Sequence, residues 1–309
     1  MKKPELLVTP TKLEDVKPLI EAGADAIMIG EQRFGLRLAG EFSKEDVKTA
    51  TTIAHAAGRK VYVAMNAIFH NEKVDELEDY LTFLQEVKVD AVVFGDPAVL
   101  MAAKQVTPSI PLHWNTETTA TNWFTCNYWG RKGAKRAVLA REINMDAIVE
   151  MKENAEVELE VQVHGMTCMF QSKRTLLGNY YQFQGKSLEV EKQSQDQTLF
   201  LHDQERENKY PIFQDENGTH IMSPNDICII DELEEMIDAG IDSLKIDGIL
   251  KSSEYMIEVT KKYRLAIDLC IDDRNAYEDQ KRELLESIEA IQPLNRPLDT
   301  GFFFKETVY

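Results

Sequence analysis

The sequence predicts an α/β chain folded as an eight-stranded (β/α)8 TIM-like barrel with an insertion between strands 7 and 8. Three observations point there. Short apolar runs recur eight times along the 309 residues, amphipathic stretches with a period near 3.6 separate many of them, and the residues just past the runs are nearly all polar, as they are where barrel strands open onto a shared mouth.

The first strand, 6–8, is followed by a helical stretch over 13–22, and the second, 26–29, by one over 44–57. The third strand, 61–65, precedes a helix over 74–87. Strands over 91–94, 110–114 and 137–140 follow, then a helix over 143–154 and the seventh strand at 159–163. A helix over 231–239 leads into the eighth strand, 243–246. Helices over 253–269 and 276–290 and the tail Gly301-Phe302-Phe303-Phe304 complete the chain. Gly23, Gly58 and Gly240 each stand just past a helix, where a left-handed C-cap turns the chain toward the next strand. Ser43 and Asp46 have the spacing of an N-terminal capping box. The rhythm breaks after strand 7, so the chain divides into barrel strands 1–7 over 1–165, an inserted subdomain over 166–228, and strand 8 with the C-terminal helices over 229–309. Within the insertion, 188–208 is polar and reads as a mobile loop. A doubly wound open sheet is the competing architecture, but its Gly-rich phosphate turn after strand 1 is replaced here by Thr9-Pro10-Thr11-Lys12.

Composition narrows the function. A formal charge of −18 makes the chain by itself a poor nonspecific ligand for nucleic acid. RNA contact would need a local basic patch or a basic partner. No apolar run long enough for a membrane span occurs, and Met1-Lys2-Lys3-Pro4-Glu5 lacks an export signal, so a cytoplasmic address is expected. The four cysteines, Cys126, Cys168, Cys228 and Cys270, are spaced too widely to suggest a disulfide framework.

The rim supplies the candidate site. Thr9, Glu31, Arg33, Arg37, Asn66, Asp96, Asn115, Glu117, Arg141, Glu142, His164 and Asp247 all follow strands, and Lys245 lies in the eighth. Glu31, Arg33, Arg37, Asn66, Asn115, Arg141 and Lys245 are candidates for binding a small polar anion. Glu117, Glu142, Asp247 and His164 are candidates for proton transfer. Each has an ordinary alternative: Arg33 and Arg37 could pair with Glu31 and Glu41, Asn66 and Asn115 could satisfy loop backbone, and His164 could be a structural hydrogen-bonding residue.

Glu160-Val161-Gln162-Val163-His164-Gly165-Met166-Thr167-Cys168 resembles the signature of peptidase family U32. So do Gln32-Arg33-Phe34-Gly35-Leu36-Arg37, Asn66-Ala67-Ile68-Phe69-His70-Asn71, Leu139-Ala140-Arg141-Glu142, Leu244-Lys245-Ile246-Asp247-Gly248 and the tail from Asn295-Arg296 to Gly301-Phe302. The resemblance implies a barrel and, in several members, oxygen-independent hydroxylation of tRNA, rRNA or ubiquinone precursors with an iron-sulfur cluster on four cysteines. Cys168 matches the first ligand position and Cys228 the fourth. The second falls on Thr175, and the third has no counterpart. Two residual thiolates cannot close such a site, so no cofactor is expected in this chain and the cluster is expected in a partner. Proteolysis is not expected of this chain alone. Ser172 lacks a His-Asp arrangement, and Cys168 has His164 four residues before it but no third member.

Within that family a short chain that has lost ligands is similar to the smaller of two paired paralogues that act in 5-hydroxylation of the tRNA wobble uridine. The resemblance therefore implies a longer, cluster-bearing U32 paralogue as partner, tRNA bound through the complex, and a small dicarboxylate such as prephenate at the arginine-rich rim. A stand-alone hydrolase and a non-catalytic scaffold are the alternatives.

Overall fold

The computed structural model describes residues 2–185, 199–203 and 208–306. Its elements in chain order are β1 (Glu5–Val8), α1 (Val16–Glu21), β2 (Ala26–Ile29), α2 (Lys44–Ala56), β3 (Lys60–Met65), α3 (Asn71–Val87), β4 (Ala91–Phe94), α4 (Pro97–Val106), β5 (Leu112–Trp114), α5 (Trp123–Lys132), β6 (Ala134–Val138), α6 (Met145–Asn154) and β7 (Glu158–Gly165). Then come β8 (Cys168–Ser172), α7 (Leu176–Phe183), β9 (Phe200–His202), β10 (Lys209–Asp215), β11 (Gly218–Met222), β12 (Asp226–Cys228), α8 (Leu233–Ala239), β13 (Ser243–Ile246), α9 (Ser253–Asp272), α10 (Arg274–Glu289) and β14 (Leu298–Asp299).

β1 to β7 pair in parallel in chain order, and β13 pairs in parallel with both β7 and β1, which closes an eight-stranded barrel. Four strands, β8, β11, β10 and β9, form a separate antiparallel sheet between β7 and β12. Of the loop expected over 188–208, residues 188–198 and 204–207 lie outside the described residues, and Phe200–His202 form a strand.

Local signals account for the frame. Ser43 and Asp46 make the full reciprocal capping box at the start of α2, and Gly23, Gly58 and Gly240 take φ values of +110°, +66° and +78° at the helix ends. Strand 6 begins three residues earlier than its apolar run. This places Arg136 inside the barrel, where it pairs with Glu5 at 2.7 Å, Glu158 at 2.8 Å and Glu160 at 3.2 Å. With the Tyr62 hydroxyl donating to Glu5, this network fills the end of the barrel at the strands' N-termini, leaving the opposite end for chemistry. The tail contributes to the core: Phe303 is buried and its carbonyl accepts the Met145 N–H at the start of α6.

Candidate functional site

Backbone turns deliver the mouth's charged groups. Arg37, in the loop after β2, and Glu117, after β5, are non-glycine residues held at φ +52° and +62°. Such conformations cost on the order of 1–3 kcal/mol and persist only where neighbours over-determine them. Here the restraints are visible. The Asn115 side chain accepts the Glu117 N–H at 3.0 Å, the Asn66 side chain accepts the Leu36 N–H at 2.9 Å, and the Asn217 amide donates to the Gln32 and Gly35 carbonyls at 2.9 and 3.2 Å.

One oxygen of Glu117, Oε2, takes both Arg37 Nη2 at 2.7 Å and Arg141 Nη2 at 2.8 Å. Burial by itself would raise the Glu117 pKa, but the two guanidinium groups bring it down to about 2. Lys245 reaches Asp247 at 2.9 Å. Burial opposes the charge on Lys245, but Asp247 and Glu160 outweigh it and raise the ammonium pKa. Arg37, Arg141 and Lys245 thus converge on the mouth beside Glu117 and Asp247, and their guanidinium and ammonium donors suit a small anion.

A small inner pocket between Gln162, Lys245 and Asp247 reaches up to Arg37, Glu117 and Arg141. Above it opens a cleft of about 460 Å³ that Arg37, Asn66, Asn115, Glu117, Arg141 and Cys168 help to line. β8 crosses one side of it, with Met169, Phe170 and Gln171 on the wall. The Arg141 guanidinium also donates to the Cys168 carbonyl, tying barrel to insertion. Below β8, Met166, Phe213, Met222 and Ile249 pack into an apolar cluster that seats the inserted sheet on the barrel.

Of the residues singled out from sequence, the structure brings together Arg37, Asn66, Asn115, Glu117, Arg141, Lys245 and Asp247. Asp96 also lines the cleft, but its carboxylate caps α4 through the Ala98 N–H and accepts the Phe69 N–H. Thr9 is buried and accepts the Gly248 N–H. Arg33 points away and pairs with Glu76. Neither arginine pairs with Glu31 or Glu41. Glu31 lies beside Lys44 and Arg33, and burial raises its carboxyl pKa. Glu142 is exposed in the turn after β6. Neither Glu31 nor Glu142 lines the pocket or the cleft.

His164 corrects the expected placement. Its imidazole is fully buried, with Nε2 2.8 Å from the Tyr255 hydroxyl and the Tyr263 ring edge-on to it. Burial pulls its pKa down to about 3, so it is neutral at physiological pH. Strict alternation would set Gln162 and His164 on one face of β7. The register against β13 slips between them, however, with Lys245 opposite Gln162 and Ile246 opposite His164. The His164 ring therefore faces α9 on the outside of the barrel, while Gln162 lines the pocket. The alternation of Glu158, Glu160 and Gln162 with Leu159, Val161 and Val163 was the signal for that inward position.

The two residual cysteine positions are separated by environment. Cys228 is buried against the Tyr263 hydroxyl, and burial pushes its thiol up to about 11. Cys168 is half-exposed at the mouth. Among the described residues no group of three or more His, Cys, Asp or Glu side chains is placed to hold a metal ion. The donors present do not fit a four-thiolate cluster.

The model of peptidase family U32 matches residues 11–308. The chain is 70% identical over the whole of both sequences to tRNA hydroxylation protein P2 of Bacillus subtilis (strain 168). It is 36% identical to tRNA hydroxylation protein P1 of the same organism, over 98% of this chain and 71% of that one. It is 30% identical to tRNA hydroxylation protein P of Escherichia coli (strain K12), over 99% of this chain and 76% of that one. Among solved structures, dihydrodipicolinate synthase from Bacteroides thetaiotaomicron superposes with a TM-score of 0.51 at 13% identity, covering 94% of this chain and 82% of the other, a likeness of fold. No helix among the described residues is long and apolar enough to cross a membrane.

Proposed function

The chain belongs to peptidase family U32, and from that membership we infer that it is a subunit of a tRNA wobble-uridine 5-hydroxylation system. The observation that carries this reading is its 70% identity, end to end, with tRNA hydroxylation protein P2. Bacillus subtilis holds two such proteins, P1 and P2, and P1 is the longer, since this chain spans 71% of it. The corresponding longer paralogue is the proposed partner here.

Two features of the chain support a divided labour. With only Cys168 and Cys228 at the family's ligand positions, and Cys228 buried under Tyr263, the iron-sulfur cluster is assigned to the longer paralogue. At −18 the chain repels RNA at long range, so tRNA is held through the complex. This chain contributes the mouth, where Arg37, Arg141 and Lys245 suit a small dicarboxylate such as prephenate.

A tagged chain purified from its native cells tests the arrangement: the longer paralogue is expected in the eluate at stoichiometric yield. A chain that elutes alone, from cells whose tRNA keeps 5-hydroxyuridine after the gene is deleted, would overturn the reading.

A further inference from the structure

Cys168 is the one cysteine of the four that is not buried, and it lines both the inner pocket and the outer cleft. Its surroundings differ from those of an ordinary surface thiol. Across the β8–β11 ladder Cys168 is opposite Met222, with the register shifting at Met169 between this pair and Phe170–Ile221, and His220 lies two residues before Met222 on β11. His220 is completely buried and stacks on Phe213. Its Nε2 is 2.9 Å from Asp215 Oδ1, across the β10–β11 turn. A carboxylate only accepts, so Nε2 carries the ring proton and Nδ1 presents a lone pair. That Nδ1 is buried and makes no formed hydrogen bond.

Burial opposes charge on the imidazole and Arg37 adds to that opposition, but Asp215 and then the neighbouring Cys168 thiol outweigh both and raise its pKa. The thiol itself now donates to the Phe170 carbonyl at 3.2 Å. Arg37 lies close enough for its charge to interact with the Cys168 sulfur. The Asn217 amide holds the β10–β11 turn, with Asp215 and His220 on either side of it, to the loop that carries Arg37.

We propose that Cys168, His220 and Asp215 form a thiol nucleophile site that attacks small electrophiles bearing a carboxylate, with Arg37 and Arg141 holding the carboxylate. A nucleophile, a base and an orienting carboxylate are recognised by geometry and role, whatever their order along the chain. His220 Nδ1 takes the thiol proton, and the sulfur lone pair forms an S–C bond to the β-carbon of an α,β-unsaturated carboxylate. The C=C pair moves to the α-carbon, which recovers the proton from His220. Nothing is oxidised or reduced. The sequence concealed this set because His220 and Asp215 lie in the insertion, far from Cys168 along the chain, and only the hairpin brings them to it.

Iodoacetate and iodoacetamide test the proposal. They alkylate through the same displacement of iodide, but only the first carries a carboxylate. Intact folded chain is reacted at pH 7 and labelling of each cysteine is followed by peptide mass spectrometry, with urea-unfolded chain as reference. Cys168 is expected to react with iodoacetate at least tenfold faster than in the unfolded chain, because His220 takes the thiol proton while Arg37 and Arg141 hold the carboxylate. The iodoacetate-to-iodoacetamide rate ratio should be at least fivefold above the unfolded value, falling back in Arg37→Gln. His220→Gln should slow Cys168 at least tenfold, and Asp215→Asn, which keeps the ring in place, at least threefold.

Labelling no faster than in the unfolded chain, or a ratio equal to the unfolded one, overturns the site. So does a Cys168 rate unchanged in Asp215→Asn, an outcome that counts against the site even where His220→Gln fails to fold. Because alkylation reads the thiol alone, its outcome is separate from that of the tRNA assignment.

Discussion

Replacing Glu117 by Gln removes the charge that holds the mouth together. In the folded chain the Glu117 carboxyl sits at about 2 in place of the ordinary 4.5, because Arg37 and Arg141 both bind one of its oxygens. At about 1.4 kcal/mol per pH unit, that difference corresponds to about 3 kcal/mol of stability at neutral pH. The figure agrees with the roughly 3–5 kcal/mol typical of breaking a buried ion pair from one side. Thermal unfolding at pH 7 should therefore show Glu117→Gln melting about 6 °C or more below wild type, since for a chain of this size about 1 kcal/mol moves Tm by ~2 °C. The pH dependence has a definite sign. A carboxyl whose pKa is depressed on folding stabilises fully above its unfolded value, and that contribution is lost as pH falls from 4.5 toward 2. Glu117→Gln should flatten this acid limb. The same variant leaves two guanidinium groups unneutralised, so a dicarboxylate such as malonate should raise its Tm more than that of wild type. Melting within 1 °C of wild type, with an unchanged acid limb, would refute the view that one carboxylate organises the two arginines.

His164→Gln, which can still bond Tyr255, should retain tRNA 5-hydroxylation in cells, because the imidazole is buried and neutral; loss of the modification in a variant that folds normally by circular dichroism would place His164 in the chemistry. Burial of that imidazole also predicts that native stability falls as pH drops below 6.5, where the unfolded chain binds a proton the folded chain refuses until about 3; His164→Gln should lose this part of an acid titration followed by fluorescence. Gly165→Ala should lower stability by more than 1 kcal/mol in urea titration, as a Cβ there at φ +101° would run into the Asp247 carbonyl. Asp226→Asn should cost about 3–5 kcal/mol in the same assay, since the buried carboxylate binds Lys251, Arg296 and Gln292.

The barrel was legible because its signals are local: eight apolar runs, glycines past helix ends, and the Ser43 and Asp46 cap all act within a few residues. Arg37, Glu117, Arg141, Lys245 and Asp247 were legible for a related reason, since the fold sends strand ends to one mouth whatever the details. Facing direction was harder. His164 ends a strand as expected but lies on the face that packs against α9, while Gln162, two residues earlier, lines the inner pocket, because the register slips between them. Strand 6 starts at Ala134, ahead of its apolar run, because the buried Arg136 charge is offset by Glu5 and Glu160 inside the barrel and by the more exposed Glu158 at its end. The contribution of the insertion was illegible: Met169 and Phe170 reach the mouth, and His220 is buried behind them, through antiparallel pairing with register set by a hairpin, a long-range arrangement that no spacing in the sequence records.

Service in tRNA hydroxylation through the arginine-lined mouth is tested most directly by nucleoside mass spectrometry of digested tRNA from a strain lacking the gene, complemented with wild type or with Arg141→Gln. The expected result is that 5-hydroxyuridine falls on deletion, returns with wild type, and stays low with Arg141→Gln at equal expression. Undiminished 5-hydroxyuridine in the deletion strain, or full restoration by Arg141→Gln, would contradict that role.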